Sequence, residues 1–250
     1  MESIWTTFKN ELGFATVSIQ YLELSRRVVE AEHVDELKQG KIVDLAKRFR
    51  LSISVASDDI HNRIAKNYIA QVHSCVEKFL KDYHGLVGSS TYGLKYDAEE
   101  DSDYLNWTMT KAFANKSSDY DEQYRICNYY RLVRNDSVHH DEKTSAKLKM
   151  AFSQISRYSY EKLHAPNSIE ALSFDDQVLF SRSAKQLLGA IYFQSQYDWS
   201  VIISKHKSDI EPIISSCKHD TSKAKQKIEN YLRRAYPIPP QGIDGIADML

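Results

Sequence analysis

From residue 60 to residue 83 the chain places Ile60, Ile64, Tyr68, Val72, Cys75, Val76, Phe79, Leu80 and Tyr83 on one face. Asn62, Arg63, Lys66, Glu77, Lys78 and Lys81 fall on the other. That period is the signature of a long amphipathic helix, and it excludes a strand, whose side chains alternate every second residue. Ser57-Asp58-Asp59 just before it is a cap followed by acids, which suit the positive end of a helix. A helix of this length needs other helices to cover its apolar face, and the rest of the chain offers them.

Residues 3 to 32 carry Ile4, Trp5, Phe8, Leu12, Ala15, Ile19, Leu22 and Val29 at helical spacing, with Glu11, Gln20, Glu23, Arg26, Arg27 and Glu30 on the polar side. One or two helices follow, with Gly13 a candidate join, and residues 34 to 49 continue as short helix interrupted near Gly40. This region reads as core and dimer surface. Gly85, Gly88 and Gly93 predict that the long helix ends in a surface loop over 85 to 102. Gly88-x-x-x-x-Gly93 is not a phosphate-cradling loop, because Leu94 stands where the lysine belongs and a helix, not a strand, precedes it. The acids from Asp97 to Asp103 lack the spacing of a calcium loop and read as solvated charge. Helices are then expected over 119 to 134, over 137 to 163 until Ala165-Pro166-Asn167, from the Ser173-Phe174-Asp175-Asp176 cap through Trp199, Ile202 and Ile203, and over 222 to 234. The expected fold is all-α. Only 8 glycines and 5 prolines in 250 residues agree with it.

A net charge of −1 excludes a broadly basic nucleic-acid coat, so any RNA contact must be local. Cys75, Cys127 and Cys217 are odd in number and widely spaced, which predicts neither a disulfide framework nor a zinc site. No stretch reaches the ~20 apolar residues of a membrane span, and the first residues lack a basic segment followed by an apolar core. The expectation is a cytoplasmic protein without a metal or cofactor.

Chemistry concentrates in Arg131-Leu132-Val133-Arg134-Asn135-Asp136-Ser137-Val138-His139-His140. Around it, Arg125, Arg131, Arg134, Lys143, Lys147 and Lys149 outnumber Asp136, Asp141 and Glu142. Arg134 offers a permanent charge and a fork of donors that suits a phosphate, His139 titrates near neutral pH, and Asn135 adds an amide. On one continuous helix, five residues of separation would put Arg134 and His139 about 140° apart. Asn135-Asp136-Ser137 favours caps and turns, so a break between about 134 and 138 is expected, bringing the two side chains together.

The order Arg134-Asn135-x-x-x-His139 resembles the Arg-(x4 to x6)-His motif of the HEPN superfamily of all-α ribonucleases. Val72 to Tyr83 resembles the first long helix of such domains, with Glu77 just before Phe79-Leu80, and Leu172 to Phe180 resembles the closing helix. The resemblance covers about 58 to 203 as a HEPN-like bundle, leaving 1 to 57 as an N-terminal helical extension and 204 to 250 as a C-terminal helix and tail. It implies a metal-independent endoribonuclease that leaves a 2′,3′-cyclic phosphate, with His139 moving the proton, Arg134 on the phosphate and Asn135 orienting it. His140, Arg131 and Glu77 are supporting candidates. It further implies a homodimer with a composite site, a regulatory protein partner, and a setting in toxin–antitoxin or antiviral defence. Two other readings remain: a non-catalytic helical module that binds a nucleotide or partner protein, and a structural adaptor with tyrosine-rich assembly faces.

Overall fold

The computed structural model describes residues 3–35, 42–48, 50, 60–92, 103–139, 142–156, 162–195, 197, 199–217, 220–238 and 243. Every regular element among them is helical: α1 (Ile4–Glu32), α2 (Ile42–Arg48), α3 (Ile60–Tyr92), α4 (Tyr104–Trp107), α5 (Asp121–His139), α6 (Glu142–Ile155), α7 (Phe174–Gln194), α8 (Trp199–Lys205), α9 (Lys207–Ser216) and α10 (Thr221–Leu232). A π-helical turn (Thr108–Ala112) and a 3₁₀ segment (Ala114–Tyr120) join α4 to α5. The all-α expectation holds.

Several boundaries differ from those expected, each for a local reason. Helix α1 is a single helix: Gly13 has open space around it, and Leu12 and Ile19 are fully buried on either side, so packing holds the run together. Helix α3 continues past Gly85 to Tyr92, because Leu86 and Val87 are both fully buried. Burying two such side chains outweighs the roughly 1 kcal/mol a helical glycine costs. The Ser57-Asp58-Asp59 cap and the rest of the 85 to 102 loop lie outside the described residues. Residues 162 to 163 are not helical, and α6 stops at Ile155. The helix opened at Ser173 ends at Gln194, with Trp199, Ile202 and Ile203 on the separate α8. Helix α9, with Pro212 inside it, was not foreseen.

The chain forms two compact units. One comprises Met1–Lys9, Val76–Asp121 and Gln186–Leu250. Its centre is aromatic: Trp5 stacks on Tyr192 at 6.2 Å and meets Phe79 edge-on at 6.3 Å. Gly189 permits this approach, since a Cβ there would sit 3.2 Å from the Trp5 ring. Tyr83 donates to Ser195 Oγ at 2.6 Å, and the Tyr192 hydroxyl donates to the Ala235 carbonyl.

The other unit comprises Asn10–Cys75 and Glu122–Lys185. Its polar centre is Asp176, fully buried at the start of α7. Asp176 Oδ1 accepts from Tyr130 Oη (2.9 Å) and Asn167 N (2.8 Å), and Oδ2 from Asn167 Nδ2 (2.8 Å), Ser173 N (2.8 Å) and Ser173 Oγ (3.2 Å). Ser173 Oγ in turn accepts from Asp175 N at 3.2 Å, as the cap read from the sequence requires, and the Asp176 carboxylate makes that cap reciprocal. Five donors on one carboxylate offset its removal from water and tie α5, the 164–173 loop and α7 to one point.

Helix α1 has two faces. Leu12, Ile19 and Glu23 are buried, whereas Phe14, Val17, Tyr21, Leu24 and Val28 are between 43% and 79% exposed.

Candidate functional site

Helix α5 carries the Arg-Asn-x-x-x-His run. Ile126, Tyr129, Tyr130 and Val133 are at most 1% exposed and fix its inward face. Tyr130 Oη reaches Asp176, and Tyr129 Oη donates to the Asn167 carbonyl at 2.6 Å, so two phenols lock the rotation of the helix. Burial pushes the Tyr129 phenol and the Cys127 thiol up, out of use near neutral pH.

The expected break between 134 and 138 is absent: α5 is helical through His139. The polar side chains that were to end it are satisfied within it. Ser137 Oγ donates to the Val133 carbonyl one turn back (2.8 Å), a bond compatible with helix. Asn135 Oδ1 accepts from Arg134 Nη1 at 3.1 Å, and Asp136 is buried instead of capping a new helix. Positions 134 and 139 therefore lie about 140° apart around one axis, which counts heavily against a site that Arg134 and His139 of one chain would form together. By the same register, 131, 135 and 139 follow one another within about 80°, so position 139 shares its stripe with Arg131 and Asn135. The side chain of His139, and His140 entirely, lie outside the described residues.

Arg134 is half-buried and forms no ion pair among the described residues; a neutral amide holds it. Arg131 donates from Nε and Nη2 to Asn128 Oδ1 at 3.2 and 2.8 Å. At Arg134 a guanidinium held by an amide, with no carboxylate beside it among the described residues, keeps its charge available to an anion. Glu77 takes Lys81 as its partner at 3.0 Å on the exposed side of α3.

A second cluster was not singled out from the sequence. Glu23, Arg26, Arg27, His61, Tyr68, His164 and the residues from Leu172 to Asp175 line a cavity of about 350 Å³. Glu23, expected on the polar face, is only 5% exposed. It accepts from Arg26 Nε (3.0 Å) and Nη2 (2.7 Å) and from Arg27 Nε (2.8 Å). The Arg26 guanidinium, against burial, holds its carboxyl below the usual range. Arg26 Nη1 also reaches Glu30, which pairs with His61 Nε2 at 2.6 Å. Arg27 lies over the Phe174 ring at 5.8 Å, and the Tyr68 hydroxyl has no hydrogen-bond partner among the described residues. The available sequence signal was the i, i+3, i+4 spacing of Glu23 to Arg26 and Arg27, with Glu30 four residues beyond Arg26.

All three cysteines are free, and among the described residues no group of three or more His, Cys, Asp or Glu is placed to hold a metal ion. Among the same residues no helix is long and apolar enough to cross a membrane. The fold and sites define the class as an all-α protein with a cationic helix face. Comparison with protein-family models, with curated proteins and with solved structures finds no match to this chain.

Proposed function

We propose that the chain is a metal-independent endoribonuclease whose site is completed by a second copy. The observation that carries this reading is Arg134: half-buried, charged, held by Asn135 and without a carboxylate partner among the described residues. In this chemistry the RNA 2′-hydroxyl attacks the adjacent phosphorus, the P–O5′ bond breaks, and the products end in a 2′,3′-cyclic phosphate and a 5′-hydroxyl. His139 transfers the proton, and Arg134 stabilises the charge on the phosphorane. Asn135 steadies the guanidinium, while Arg131 adds charge along the strand. Because positions 134 and 139 diverge on one helix, the guanidinium of one copy serves the imidazole of the other. A gating partner and a role in toxin–antitoxin or antiviral defence extend the same reading.

Incubation with single-stranded RNA in EDTA tests it. Wild type is expected to cleave, and Arg134→Ala or His139→Ala to lose about 10²-fold or more. Equal cleavage by all three proteins overturns the assignment.

The cavity of about 350 Å³ supports a second reading, a module that binds a nucleotide without cleaving RNA. Arg27 is anchored through Nε, so its terminal nitrogens are left to meet a phosphate. Titration with AMP is then expected to saturate in wild type and weaken about tenfold in Arg27→Ala, with adenosine failing to bind. AMP binding that is unchanged in Arg27→Ala rules this out.

A further inference from the structure

Phe14, Val17, Tyr21, Leu24 and Val28 are spaced 3, 4, 3 and 4 residues apart, which is the a/d pattern of a helix that packs along another helix. All five lie on one stripe of α1, within about 40° of its centre line, and that line is opposite the face that buries Leu12, Ile19 and Glu23. Their exposures are 79%, 65%, 70%, 60% and 43%. The stripe itself bears no charge, and Ser18, Gln20 and Ser25 border it. Packing among the described residues does not account for it, since the face of α1 that they bury is the other one.

We infer that this stripe is a self-association surface, occupied by α1 of a second copy of this chain running antiparallel and centred on Tyr21. The order of sizes selects that pairing. About a two-fold axis at Tyr21, Phe14 falls opposite Val28 and Val17 comes within one residue of the position opposite Leu24, so large side chains meet smaller ones and the surface complements itself. Five apolar side chains from each copy remove on the order of 1,000 Å² from water, the least area that a specific interface needs. The inference draws only on α1 and does not rest on the reading of α5.

Sedimentation of the full chain across micromolar concentrations tests it, alongside Tyr21→Glu/Leu24→Glu. Because both side chains are exposed, the variant is expected to keep its helical circular dichroism and melting temperature. Wild type should sediment at twice the mass of the variant. For orientation, a mixture of Phe14→Cys and Val28→Cys chains should oxidise to a crosslinked heterodimer in preference to either homodimer. A variant of the same sedimenting mass as wild type, or preferential Phe14→Cys homodimers, overturns the inference. Ribonuclease activity is scored separately, so failure of the stripe and failure of the nuclease reading give different results.

Discussion

At the scale of single residues, two carboxylates carry unusual weight. Asp176 has no water to turn to, and its removal would orphan donors on Tyr130, Asn167 and Ser173 at once. Asp176→Ala is expected to cost about 3 kcal/mol or more, read as a fall in melting temperature of roughly 6 °C or more. A change under 1 °C would show that these bonds are replaceable. Glu23 gives a pH test. Its folded pKa lies below the ordinary value of 4.5, chiefly through Arg26, so its contribution is complete above that value and is lost as pH falls through the folded one. Melting temperature should therefore drop more steeply below about pH 4.5 in wild type than in Glu23→Gln. Parallel curves would mean that the pair is energetically silent. Neither role was legible in the sequence: Asp176 reads as a first-turn acid and Glu23 as a polar-face residue, since periodicity gives the direction of a side chain but not the partners waiting there.

At the scale of elements, the sequence revealed the helices well and their ends poorly. The helical period of α3 and the Ser173 cap are local signals, and both stand in the structure as far as its described residues extend. Glycines and polar runs misled, because their local preference for turns is worth about 1 kcal/mol or less, and packing supplies more. Three glycines make this measurable. Gly13 and Gly85 have room for a methyl group, so Gly13→Ala and Gly85→Ala should each stabilise by about 0.5–1 kcal/mol. Gly189→Ala should destabilise, because Trp5 is held among Phe8, Phe79 and Tyr192 and cannot give way. Opposite signs in thermal melts check the argument, and a uniform response refutes it.

At the scale of the molecule, each compact unit gathers segments far apart in sequence. No linear scan of composition predicts such grouping, which depends on contacts between distant helices. The nuclease reading also belongs to this scale. If each site draws Arg134 from one copy and His139 from the other, mixing inactive Arg134→Ala and His139→Ala chains should restore activity. Random exchange would yield about a quarter of the wild-type rate, since half the dimers are mixed and each has one intact site. A mixture as inactive as its parts would place both groups within one chain.

The unbroken α5 also works as a dial. Each residue deleted between Arg134 and His139 turns the later position back by about 100°, so removing Ser137 would swing the histidine to within about 40° of the arginine on the same rod. On the nuclease proposal, one codon would thus exchange a pair shared between copies for a self-contained one.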